Sequence, residues 1–347
     1  MDSAYFNGQH TTNDKCFSDG TPLTGAAARV ASRFGHFRTQ NNEAFFNALS
    51  AHFSSIESDE CLPMYFEFAV TCNARGRQIA SLLSDRIPLR GKRFLDVGCA
   101  YGGFLVAFAE QGAQVSGIDI DEMLLTLART NLQDNRLDAP LLLADATRAE
   151  QLEEFRGCFD LLSCNDVIEH VEDPELLLAN LASMMKSDGI VYFEIPNRYA
   201  PRHVLRDGHY QLFGITLLDY TEARDFYALH APGVAYSVRH YLTLDQYAHL
   251  FSRAGMELEI LEANYQSVDL QTALKDMMEL RDGAQAEMER VPSSYRALIR
   301  ERLEAYLHDV DECALATESG RRDFLLRYGM GFWRVLGRKV SASSRAS

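Results

Sequence analysis

Three acids and three small residues at fixed spacing carry the most readable chemistry in this chain. They lie in and after Arg93-Phe94-Leu95-Asp96-Val97-Gly98-Cys99-Ala100-Tyr101-Gly102-Gly103-Phe104. An apolar run that ends in an acid and runs into glycines suits a buried parallel strand turning into a ligand-cradling loop, and Phe104 to Ala109 restarts with helical character. Gly98 and Gly102 open backbone torsions closed to other residues and leave no side chain between main chain and ligand, with the small Ala100 between them. Gln114 to Ile118 reads as a second strand delivering Asp119 and Asp121 roughly 20 residues after the first glycine, the distance at which an acid meets ribose hydroxyls. Ile120 beside them would pack on an adenine face. An adenosine-type cofactor is therefore expected. The dinucleotide fingerprint G-x-G-x-x-G is broken here, and Asp96 would repel a pyrophosphate while suiting a ligand that carries an ammonium and a sulfonium.

Further elements follow in order. Leu141 to Leu143 reads as a third strand ending at Ala144-Asp145-Ala146. Phe159 to Cys164 is a fourth, followed by Asn165-Asp166-Val167-Ile168-Glu169-His170-Val171-Glu172-Asp173-Pro174. Leu176 to Met185 reads as an amphipathic helix, Ser187-Asp188-Gly189 as a turn and Ile190 to Ile195 as a fifth strand. With Ala100 for the middle glycine, this succession resembles the class I S-adenosylmethionine-dependent methyltransferases, whose first motif reads acid-x-Gly-x-Gly-x-Gly. The stretch after the fourth strand is similar to that of small-molecule methyltransferases, including those of ubiquinone biosynthesis.

The resemblance implies an α/β fold: a doubly wound, Rossmann-like, seven-stranded and mostly parallel sheet, with S-adenosyl-L-methionine as cofactor. It implies that Asp96, Gly98, Ala100 and Gly102 form the loop, that Asp119 takes the ribose, and that Asp145 with Ala146 takes the adenine. Asn165 is assigned to the methionine moiety, and Arg75, in the helix before the core, to its carboxylate.

Length and composition fit one catalytic domain with additions. The chain has 347 residues, 47% of them hydrophobic, more than a bare methyltransferase core requires. Residues 1–22 are polar and expected to be flexible. Residues 23–88 read as an N-terminal helical cap, with helical stretches at Asn41 to Phe53 and Met64 to Leu83. Residues 89–264 form the core, including an irregular, aromatic-rich substrate loop at 199–240 and a sixth strand at Met256 to Leu261. A C-terminal helical insertion at 265–326 contains Leu274 to Glu289, weakened by Gly283, and Tyr295 to His308. It reads equally as a substrate-side element or as a surface for homodimerisation. Residues 327–340 give the final, antiparallel strand, and 341–347 a tail.

The net charge of −15 argues against nucleic acid as a partner. The polar start Met1-Asp2-Ser3 and the lack of a long apolar stretch point to the cytoplasm, with no membrane partner. The 7 cysteines show no Cys-x-x-Cys spacing, so neither disulfides nor a metal site is expected.

Methyl transfer to a small-molecule acceptor asks for collinear geometry, and an oxygen acceptor gains from a general base. His170, His209 and His240 are the candidate bases. Tyr199, His203, Tyr210 and Tyr227 are the candidate substrate contacts. O-methylation is the leading expectation. The alternatives are N- or C-methylation of a natural product or glycan, a non-catalytic scaffold with this fold, and an NAD-dependent oxidoreductase.

Overall fold

A computed structural model describes residues 25–56, 61–261 and 268–340. The expected flexible N-terminus, the tail and the end of the core at 262–264 lie outside the described residues. Seven strands form a mixed sheet of order β3-β2-β1-β4-β5-β7-β6 (β1 Arg93–Val97, β2 Gln114–Asp119, β3 Leu141–Leu143, β4 Phe159–Cys164, β5 Met185–Pro196, β6 Met256–Ile260, β7 Phe332–Lys339). The α/β class expected from the sequence is borne out. Two compact units divide the chain, 1–143 and 144–347, and the division falls inside the expected core of 89–264. Among the described residues, no helix is long and apolar enough to cross a membrane.

In the first unit, four helices, α1 (Gly25–Phe34), α2 (Glu43–His52), α3 (Cys61–Val70) and α4 (Cys72–Ser84), precede β1. The first three pack around Phe66, which stacks on Phe34 at 4.6 Å between ring centroids and meets Phe46 and Phe53 edge-on. The continuous helix expected over Met64 to Leu83 is broken at Thr71, whose hydroxyl donates back to the Glu67 carbonyl and competes with the helical ladder. Helix α5 (Gly103–Glu110) follows β1, and α6 (Glu122–Asp134) follows β2. Asp121 caps α6 by accepting from the Met123 and Leu124 N–H groups at 2.7 and 3.3 Å. The strands β1, β2 and β3 pair in parallel, with Asp96 opposite Gly117 and Asp119 opposite Leu143.

In the second unit, β5 pairs with β4 in parallel, and β7 runs antiparallel to both β5 and β6. The pairing jumps from Phe159 with Met185 to Leu161 with Ile190, so the expected Ser187-Asp188-Gly189 turn is a bulge inside a longer β5. Helix α7 (Pro174–Met184) precedes it. The segment expected to be irregular contains α8 (Pro201–Leu205) and α9 (Tyr220–His230), and α10 (Leu244–Arg253) leads into β6. Among the described residues of the insertion are three further helices, α11 (Leu270–Arg290), α12 (Arg296–Asp311) and α13 (Glu318–Phe324). They share one apolar core with residues 204–241, including Phe213, Phe226, Leu280, Ile299 and Tyr328. Gly283 is a packing device here: a Cβ at that position would lie 3.2 Å from Leu205 Cδ1, so its absence lets α8 close on α11.

Helices α4 and α5 approach through Gly76 and Gly103. A Cβ on Gly103 would stand 2.5 Å from the Cys72 backbone, which cannot swing aside as a flexible side chain would. Gly103→Ala should therefore cost about 1–3 kcal/mol of stability, read as a lower urea midpoint at unchanged slope; an unchanged midpoint would refute this close approach.

Candidate active site

The first unit builds a tight turn after β1. Gly98 and Cys99 both donate to the Ile118 carbonyl, at 2.9 and 3.0 Å, and Gly102 donates to the Cys99 carbonyl at 2.7 Å. Gly98, Ala100 and Gly102 sit at φ 71°, 42° and 74°, a region that a Cβ penalises, so Ala100 is held there by its surroundings. The holder is Asp119: its Oδ2 accepts from the Ala100 N–H at 2.8 Å and its Oδ1 from the Asp121 N–H at 3.0 Å. Burial pushes the Asp119 carboxyl up, while those two donors pull it down. Ile120 is 73% exposed beside it, leaving its apolar face open. Asp96 is buried at the end of β1. Asp121, at ribose distance by spacing, is committed to capping α6.

Arg75 lies half-buried on α4 with its guanidinium 3.5 Å from the centre of the Phe68 ring, a cation–π stack. Asn131 was missed by sequence reasoning. It is fully buried on α6 and donates through Nδ2 to the Tyr101 carbonyl at 2.8 Å, bracing the turn from the other side. The available signal was an amide among the apolar positions Leu127, Ala128 and Leu132.

In the second unit, Asp145 accepts from the Thr147 N–H and hydroxyl at 2.9 and 2.7 Å, and the Ala146 carbonyl accepts from Asn180. Asn165 keeps its buried amide oxygen and nitrogen free of hydrogen-bond partners. His170 lies in a turn, and α7 begins at Pro174 under an Asp173 cap.

His170 and His209 come together, with ring centres 5.0 Å apart. Each presents Nε2 to Glu169, at 4.0 and 3.8 Å from its Oε1. Glu169 is 0% exposed, neither carboxylate oxygen has a hydrogen-bond partner, and burial pushes its pKa up to about 7. Burial lowers both imidazoles, His209 to about 3, so both are neutral near pH 7. His209 Nδ1 lies 2.8 Å from the Tyr241 hydroxyl, which itself donates to Asp207 at 3.4 Å. His170 Nδ1 lies 3.1 Å from the Ser237 carbonyl.

Tyr210 meets Tyr227 in a tilted pair at 4.3 Å, hydrogen-bonds Ser237 Oγ at 2.7 Å and lies beside His209. The remaining candidates go elsewhere. His240 points Nε2 at the Glu172 carbonyl. Tyr199 packs against Tyr306 and Tyr328, with its carbonyl taking the Tyr306 hydroxyl at 2.9 Å. His203 is buried, with Nδ1 3.0 Å from the Asn197 carbonyl and its ring edge-on to Phe332. Also missed was Arg198, which ties the segment together by donating to the Thr216, Tyr241 and Leu218 carbonyls.

A family model described as a methyltransferase domain matches residues 73–261, more than half of the chain. The chain belongs to this methyltransferase family. The resemblance to class I S-adenosylmethionine-dependent methyltransferases is thereby borne out. The ubiquinone biosynthesis O-methyltransferase of Thiobacillus denitrificans is 39% identical over 125 residues, covering 35% of this chain and 52% of that protein. The protein of the same name from Stutzerimonas stutzeri is 37% identical over 118 residues, covering 33% and 49%. This methyltransferase thus spans about half the length of the curated relatives it matches. Among solved structures it is similar to magnesium protoporphyrin IX methyltransferase from Synechocystis, at 17% identity and TM-score 0.42 over 63% of this chain and 87% of that one. A methyltransferase from Archaeoglobus fulgidus stands at 17% and 0.42, over 79% and 99%.

His203 gives the pH test of this geometry. Its pKa falls from 6.5 to about 4 through burial, so between those values the unfolded chain binds a proton that the folded chain refuses. Stability should therefore fall as pH drops through that window, with His203 contributing at most about 3 kcal/mol. His203→Gln should flatten that slope in urea unfolding followed from neutral to mildly acid pH; an unchanged slope would remove the residue from the core.

Proposed function

We propose that this chain transfers the methyl group of S-adenosylmethionine to an oxygen atom of a small-molecule acceptor. The observation that carries the cofactor half is the turn held by Asp119, with Gly98, Ala100 and Gly102 in left-handed backbone and Ile120 exposed beside it. Two Asp119 oxygens already take N–H groups, and each keeps a lone pair for a ribose hydroxyl. Asp96 supplies the negative field that a cationic ligand favours and a pyrophosphate does not. On the resemblance, Asp145, Ala146, Asn165 and Arg75 stay assigned to the same cofactor. The unpartnered Asn165 amide is the strongest of these, because a buried amide without partners costs free energy until a ligand satisfies it.

The acceptor half rests on the relatives' name, O-methyltransferase, and on the cluster around Glu169. S-adenosylmethionine supplies an electrophilic methyl on a sulfonium when bound. The protein's share is to hold the acceptor oxygen in line, exclude water and take its proton. Their position 4.0 and 3.8 Å from a buried carboxylate supports His170 and His209, both neutral, as the groups that accept that proton. Tyr210 and Tyr227 offer aromatic faces to a ring-bearing acceptor. The net charge of −15 supports a small molecule over a nucleic acid, and the cytoplasm is the proposed location.

Two measurements test this. Asp119→Ala removes charge-assisted hydrogen bonds worth about 1.5–3 kcal/mol each, so S-adenosylhomocysteine affinity should fall about tenfold or more; unchanged affinity would dismiss the ribose assignment. Incubating the full chain with methyl-labelled S-adenosylmethionine and a panel of phenols and sugars should place label on oxygen in step with S-adenosylhomocysteine release. Label on nitrogen or carbon would transfer the reading to another acceptor atom, and turnover of none of a broad panel would favour a scaffold.

A further inference from the structure

The Glu169 cluster has the make-up of a coordination site. A carboxylate that is 0% exposed with no hydrogen-bond partner on either oxygen is costly unless a cation completes it. The gaps of 3.8 and 4.0 Å to the two imidazoles are too long for hydrogen bonds. A zinc ion with bonds of about 2.0–2.1 Å spans ligand atoms up to about 4 Å apart. The three ligand atoms all lie within 4.8 Å of one another, so a small rotation closes the set.

The surroundings fix which nitrogen faces the gap. The Ser237 carbonyl only accepts, so His170 carries its proton on Nδ1 and leaves the Nε2 lone pair toward Glu169. The Tyr241 hydroxyl donates to Asp207, so its oxygen accepts from His209 Nδ1, and the Nε2 lone pair faces Glu169. Histidine ligands are typically oriented through such contacts to the second ring nitrogen. The Glu169 carbonyl accepts from the Arg239 and His240 N–H groups at 2.7 and 3.0 Å, anchoring the acid's main chain from the segment that follows α9.

We propose that Glu169, His170 and His209 bind one divalent transition-metal ion, of the class that takes two imidazoles and a carboxylate, with zinc as the first choice. The cysteine pattern gave no hint of this, and no metal was expected from it. Three protein ligands leave positions open for water or an acceptor oxygen, and an ion there lowers the pKa of a bound hydroxyl in place of an imidazole base. That role rests on the methyl-transfer reading; the binding of the ion does not.

The test uses the full chain, stripped with a chelator and titrated with Co²⁺ as a visible probe, then with Zn²⁺ in competition. One saturable ion per chain, with bands of a low-coordinate nitrogen and oxygen site that Zn²⁺ abolishes, is expected. Tyr241→Phe should weaken binding about tenfold, and His209→Ala and Glu169→Gln by more, while His249→Ala, an exposed histidine elsewhere, leaves it unchanged. Circular dichroism and S-adenosylhomocysteine titration identify any variant that fails to fold, and Tyr241→Phe then stands as the remaining variant. Failure of the stripped wild type to take up one ion, or binding unaltered in folded His209→Ala, would overturn the proposal. Methyl transfer by a metal-free chain would leave the function standing and overturn the ion's part in it.

Discussion

A single carboxylate sets the form of the first unit. Asp119, at the end of β2, holds the Ala100 N–H at 2.8 Å and so keeps a residue with a Cβ in left-handed backbone between two glycines. Backbone bonds from Gly98, Cys99 and Gly102 close the turn, and the Asp119 bond offsets the cost of φ 42° at an alanine. Asn131 donates to the Tyr101 carbonyl one residue further along, and Gly103 lets α5 close on α4. The same oxygens that make the turn are those proposed to receive a ribose. Structure and binding are thus drawn from one side chain, and a substitution there acts on both.

The second unit is organised by burial of polar groups that its own chain only partly satisfies. Arg198 spends its guanidinium on three carbonyls and binds residues 198–241 into a wall. The insertion packs its apolar residues into the core of that wall, so α11 to α13 are supporting structure for the segment carrying His209, Tyr210 and Tyr227. Glu169 is among the groups left unsatisfied. Its main chain is held by two N–H groups while its carboxylate faces two neutral imidazoles across gaps too long for hydrogen bonds.

The strands were readable because they are short apolar runs; Leu141–Leu143 and Phe159–Cys164 begin and end in the structure where the sequence places them. Local chemistry also fixed α10, where Thr243 and Gln246 form a capping box. What escaped depends on distant partners. The break at Thr71 needs a hydroxyl turning back on its helix, and the β5 bulge needs a register set by β4. The irregular look of 199–240 concealed two helices because half of their core comes from residues far along the chain. His203 and His209 carry equal weight as letters; only folding buries one against Phe332 and sets the other beside Glu169.

The claim on which the functional reading turns is that the Asp119-held loop receives S-adenosylmethionine. Calorimetric titration of the ligand-stripped chain with S-adenosylhomocysteine, beside an identical titration with NADH, tests it most directly. Saturable micromolar binding of S-adenosylhomocysteine with no heat from NADH is the predicted result. Binding of NADH alone, or of neither, would contradict it.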